Sequence, residues 1–158
     1  MQSNEERRII LANSILISLN DSLSSRAALE FLGRLSFCPE DTHITLFHLY
    51  RKPSASEELM GKKFTEEQPA RYLALLEKAK ERLVEFGFDP EKIKIEMVTK
   101  SYGTVSEGII EMCKKHKYDL VIIGRKRMSK AEEFVLGDVS VKLVRSLEGP
   151  AVLVVKSG

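Results

Sequence analysis

The segment from Gly124 to Ser140 holds the residues best suited to chemistry. Gly124 follows the apolar run Leu120-Val121-Ile122-Ile123, and Gly137-Asp138-Val139-Ser140 stands at the start of a helical pattern. A glycine lets backbone N–H groups approach a phosphate, and a helix start offers unpaired N–H groups and the positive end of a dipole. Between the two glycines lie Arg125, Lys126, Arg127 and Lys130, partly offset by Glu132 and Glu133. Such a loop suits an anionic ligand. The same residues also suit a strand end, a turn and a solvated basic loop, and spacing alone leaves both readings open. A second polar cluster, Asn20-Asp21-Ser22, follows the first apolar run. Its amide and carboxylate are groups that can hydrogen-bond a polar ligand.

Other reactive side chains form no catalytic pattern. His48 falls within an apolar run and reads as a packing residue rather than a base. His43 and His116 precede strands and are expected on the surface. No Ser-His-acid order and no metal-ligand spacing is visible, so no catalytic or metal-binding residue is assigned. Cys38 and Cys113 have no metal-like spacing, and each reads as a small hydrophobe. Acids after a first strand also occur in receiver domains. A receiver needs an aspartate closing its third strand, where this chain has Met97-Val98-Thr99-Lys100.

The elements that must position these residues follow from periodicity. Five short apolar runs, at 14–19, 44–50, 93–98, 120–123 and 151–155, have the length and β-branched content of strands. The first, fourth and fifth are nearly continuous, as strands covered on both faces are. The third alternates, with Lys94 and Glu96 opposite its apolar residues, which suits a sheet edge. Helical stripes lie between: Ala28, Phe31, Leu32 and Leu35, then Tyr72, Leu75, Leu76, Ala79 and Leu83. Val105, Ile109, Met112 and Cys113 make a third, and Val139, Leu143 and Leu147 a fourth. Ser24 or Ser25 is a candidate cap for the first helix, and Asp138 for the last. Gly87 reads as a helix stop, and Thr104 with Glu107 as a capping box. Residues 51–63 read as a surface loop.

This order predicts an α/β fold: a doubly wound, five-stranded parallel sheet of order 3-2-1-4-5, with helices on both faces. Ligands in such sheets bind beyond the carboxyl ends of the strands, where the strand order reverses. Here that point lies after Leu19 and after Ile123.

Composition sets the outer bounds. A chain of 158 residues, 43% apolar and 30% charged, is the size and character of one globular domain. Residues 1–13 read as a tail and 14–158 as the domain. A net charge of +2 is too small to imply nucleic-acid binding. No apolar run approaches the ~18 residues of a membrane span, and Met1 to Arg8 lacks a secretory signal pattern. The expected setting is the cytoplasm, away from membrane and nucleic acid.

The chain resembles the universal stress protein family, whose fold is Rossmann-like and akin to the adenine nucleotide alpha hydrolases. ATP-binding members carry G-x2-G-x9-G-[ST] after the fourth strand. Here Gly124 and Gly137 match, Arg127 replaces the second glycine and Asp138 replaces Ser or Thr. Asn20-Asp21-Ser22 stands for the family's Asp-Gly-Ser, Leu46-Phe47-His48-Leu49 for L-L-H-V, and Gly149 to Val155 for the closing C-P-V-L-V-V strand; Gly103 sits where the family has a glycine before its third helix. The resemblance implies a stress-response binding module, a homodimer through residues 151–155, and ATP or AMP as cofactor. It places Asn20, with Asp21 beside it, at the nucleoside and the Leu49 backbone beside the adenine. Gly124, Lys126 and Arg127 fall around the phosphates, and Gly137, Asp138, Val139 and Ser140 at the helix start. Alternatives are a slow adenine-nucleotide hydrolase and a nucleotide-free protein-interaction module.

Overall fold

The computed structural model describes residues 14–35, 38–52, 55–59, 61–100, 103–132 and 139–157, with the backbone alone at 57 and 62–66. The tail at 1–13 and the site candidates Gly137 and Asp138 lie outside the described residues. Strands β1 (Ser14–Ser18), β2 (His43–Arg51), β3 (Ile93–Lys100), β4 (Leu120–Lys126) and β5 (Ala151–Ser157) form one sheet. Every pair is parallel and the order is β3-β2-β1-β4-β5, as the element pattern predicts. Helices α1 (Leu23–Arg34), α2 (Ala55–Glu58), α3 (Lys62–Glu85), α4 (Val105–Lys115) and α5 (Val139–Ser146) connect the strands.

Strand alternation divides the core into two layers. Ile15, Ile17, Ile44, Leu46 and Ile122 pack with Leu32 of α1 and with Leu76 and Leu83 of α3. Leu16, Phe47, Val121 and Ile123 pack on the other face with Ile109 and Met112 of α4 and Leu143 of α5. At the β3 edge, Ile93, Ile95 and Met97 join the first layer, while Lys94 and Glu96 form an ion pair on the opposite side. Gly87 stops α3 in a left-handed conformation, φ 98°. Among the described residues, no helix is long and apolar enough to cross a membrane.

Several local expectations are corrected. The cap of α1 is Ser22, whose side chain accepts from the Ser25 N–H; Ser24 and Ser25 are buried within the first turn. The buried arc of α1 runs through Ala28, Leu29 and Leu32, and Phe31, at the margin of that arc, is 43% exposed. The segment 51–63 is not wholly loop: it holds α2 and the start of α3, which continues through Pro69. Strand β4 does not end at Gly124, because pairing with β5 carries it on to Lys126.

Candidate functional site

The reversal of strand order puts β1 between β2 and β4. Ser18 is level with Phe47 on one side and Ile123 on the other. Asn20 follows two residues after Ser18, in the turn that leads to α1. The Leu19 N–H donates to the Phe47 carbonyl at 2.9 Å, so β1 stays tied to β2 up to the turn.

Asn20 organises that turn. Its Oδ1 accepts from the Ser22 N–H at 2.9 Å and from the Ser25 hydroxyl at 2.8 Å. Its own N–H donates to Ser25 Oγ at 3.0 Å. A carbonyl oxygen has two lone pairs, and both are engaged here. The Nδ2 group is what Asn20 has to offer a ligand. Asp21 is paired elsewhere: its carboxylate meets Arg71 of α3 at 3.1 Å. Adjacent polar residues in the sequence thus serve different elements.

His48 is buried behind the turn, with Nδ1 2.7 Å from the Leu19 carbonyl. A carbonyl only accepts, so Nδ1 carries the proton of the neutral ring. The ring stacks on Tyr72 of α3, with centroids 4.0 Å apart and planes 19° from parallel. Burial pushes the His48 pKa down, against the opposing effects of the Leu19 bond and Asp21. The side chain joins β1, β2 and α3, which fits the packing role expected from its position in a strand. Leu49 turns the other way and packs, half-buried, in the α4/α5 layer.

Gly124 lies inside β4, opposite Val155. A Cβ added there would sit 2.1 Å from the Ser24 carbonyl oxygen and 2.8 Å from the Ser25 nitrogen. The first turn of α1 therefore rests directly on β4, and close approach, not a left-handed φ, is what requires glycine. This contact joins the Asn20–Ser25 turn to β4. Lys126 and Arg127 beyond it are exposed. Glu132, set against the basic cluster in the sequence, is engaged locally: it accepts from the Ser129 N–H at 2.8 Å and hydroxyl at 3.1 Å. These bonds, the backbone one foremost, hold its carboxyl below the usual range. Val139 packs in the α4/α5 layer and Ser140 is buried at the start of α5.

A groove of about 440 Å³ opens between α1 and α3. Asn20 and Asp21 line one end of it, but Leu49, Gly124, Lys126, Arg127, Val139 and Ser140 do not. The structure thus places Asn20 and Asp21 at this groove, Gly124 against the first turn of α1, and Leu49 and Val139 in the α4/α5 layer; it does not bring the predicted residues into one pocket. Sequence reasoning named Ser25 only as a cap and Tyr72 only as part of a helical stripe, and it missed Arg71 and the contacts of Ser25 with Asn20, Tyr72 with His48 and Arg71 with Asp21. Ser22-x-x-Ser25 has the spacing of a helix cap and could have signalled the turn; nothing local signals the pairing of Arg71 with Asp21 or of Tyr72 with His48.

A family model described as the Universal stress protein family matches residues 12–156. No curated protein matches the chain. Among solved structures, the hypothetical protein MJ0577 is 21% identical, with a TM-score of 0.71 over 94% of this chain and 99% of that one. A universal stress protein in complex with cAMP is 18% identical, with a TM-score of 0.64 over 92% and 97%. A member of the universal stress protein family from Burkholderia pseudomallei is 17% identical, with a TM-score of 0.62 over 91% and 96%. At these identities the likeness is one of fold.

Proposed function

We propose that this chain, which belongs to the universal stress protein family, is a non-catalytic regulatory module of the stress response that binds an adenine nucleotide weakly in the cleft between β1 and β4. The observation that carries the reading is the contact of Gly124 with Ser24 and Ser25, which sets the first turn of α1, and the β1 turn before it, against the end of β4 at the strand-order reversal. A relative of the same fold that was solved with cAMP supports adenine nucleotides as the ligand class. In this reading Asn20 donates to the nucleoside and the Leu49 backbone lies beside the base. Lys126 and Arg127 face the phosphates, and Val139 and Ser140, which Gly137 and Asp138 precede in the sequence, supply the helix start.

Three features weaken the binding. The Asn20 oxygen is engaged in its turn, so an acceptor for ribose hydroxyls is missing. Arg127 adds a side chain where the family pattern has glycine, and Asp138 brings a carboxylate, which competes with phosphate for helix-start N–H groups, where that pattern has Ser or Thr. The same features favour a second reading, a nucleotide-free interaction module. Hydrolysis is the weaker alternative: His48 is fixed by Leu19 and Tyr72 as a structural group. The working form is a cytoplasmic homodimer paired through β5. Mass spectrometry of gently purified protein tests the reading. Co-purified ATP, AMP or cyclic nucleotide supports it, conversion of added nucleotide favours the hydrolase, and a site that stays empty under saturating ATP favours the interaction module.

A further inference from the structure

The groove between α1 and α3 lies outside the β4 loop, and its lining is amphipathic. Leu29 and Ala79 are buried within it and Leu75 is half-buried, so its floor is apolar. Arg26, Arg71 and Lys78 stand on its rim, all exposed. Among the described residues of the lining, Asp21 is the one carboxylate, and it pairs with Arg71. Three cations against one acid leave the rim positive, in a chain whose net charge is only +2. A volume of about 440 Å³ lies within the range of small-ligand sites, roughly 300–1,000 Å³.

From this juxtaposition we infer that the α1/α3 groove is a second ligand site, for a small organic anion whose carboxylate or phosphate is attached to an apolar body. The apolar part lies on Leu29, Leu75 and Ala79, and the anionic head meets Arg26 and Lys78 at the rim. A guanidinium suits either head group through paired N–H donors. Burial of the apolar body supplies the salt-independent part of the affinity, and the rim supplies the part that salt screens. The site adjoins the proposed nucleotide site at Asn20 and Asp21, but its apolar floor and the rim cations Arg26 and Lys78 belong to the groove, and Lys126 and Arg127 take no part in it.

Calorimetric titration of the full chain with decanoate, at low ionic strength and below its micelle concentration, tests this. Saturable binding of one decanoate per chain is expected. Two variants on exposed positions should each weaken it at least tenfold: Arg26→Glu with Lys78→Glu, which reverses the rim, and Ala74→Trp, which fills the groove from α3. Circular dichroism should show both folded as wild type. Sodium sulfate, which has charge but no apolar body, should give no saturable heat. Lack of saturable decanoate binding, a loss under tenfold in either folded variant, or sulfate binding as tight as decanoate would overturn the assignment.

Discussion

At Asn20 the side-chain oxygen is committed to its own turn, and at Gly124 the missing side chain makes room for α1. The sequence marks both positions but does not separate ligand chemistry from architecture. A polar residue after a strand reads the same whether its oxygen faces a ligand or the Ser22 N–H. Gly124→Ala would put a methyl group 2.1 Å from a backbone oxygen that belongs to a helix and cannot simply rotate away. The expected cost is about 1–3 kcal/mol, read as a lower urea midpoint; an unchanged midpoint would contradict the packing role. His48 gives a pH signature. Burial holds its pKa below the ordinary value, which the unfolded chain retains at about 6.5. The unfolded state then binds more protons as the pH falls through about 6.5, so stability is full above that value and declines below it. Asp21 and the Leu19 carbonyl act the other way, but burial is the larger influence. His48→Gln should flatten stability between about pH 7 and pH 5, and an equal slope in both proteins would contradict this.

Elements were legible where two independent signals coincided. Thr104 and Glu107 have capping-box spacing ahead of an apolar stripe, and both halves of the box form: the Thr104 hydroxyl accepts from the Glu107 N–H at 3.3 Å and Glu107 accepts from the Thr104 N–H at 2.8 Å. Thr104→Ala should cost about 1 kcal/mol, seen in chemical denaturation; a loss near zero would mean that tertiary packing alone sets the start of α4. Single signals misled. Three serines, Ser22, Ser24 and Ser25, stand around the start of α1, and which one caps it depends on how Asn20 closes the turn. The stripe through Phe31 follows helical spacing, yet the face α1 buries is set by the sheet and α3 beneath it. Residues 51–63 read as a loop, but α2 lies within them and α3 starts at Lys62. The end of β4 is set by its neighbour, because Arg125 and Lys126 pair with Lys156 and Ser157 although neither pair is apolar.

At the scale of the whole molecule, alternation of strands and helices was enough to give the parallel order β3-β2-β1-β4-β5, because right-handed crossovers leave few alternatives. That order leaves β5 at an edge with Val152 to Val155 half-buried, and an apolar edge favours pairing with another chain. Sedimentation at micromolar concentration should show a dimer, and Val154→Pro, with its fold verified by circular dichroism, should shift it toward monomer. A monomeric wild type would contradict this assembly. Ligand identity was less legible than fold, because it depends on side chains at the mouth of the cleft, and this chain departs from the family pattern at Asn20, Arg127 and Asp138. The most direct test of the nucleotide reading is a calorimetric ATP titration of the wild type beside the double variant Arg127→Gly with Asp138→Ser. Weak binding by the wild type is expected, with at least tenfold tighter binding by the variant, about 1.4 kcal/mol. Micromolar binding by the wild type with no gain in the variant, or no binding by either, would contradict that reading.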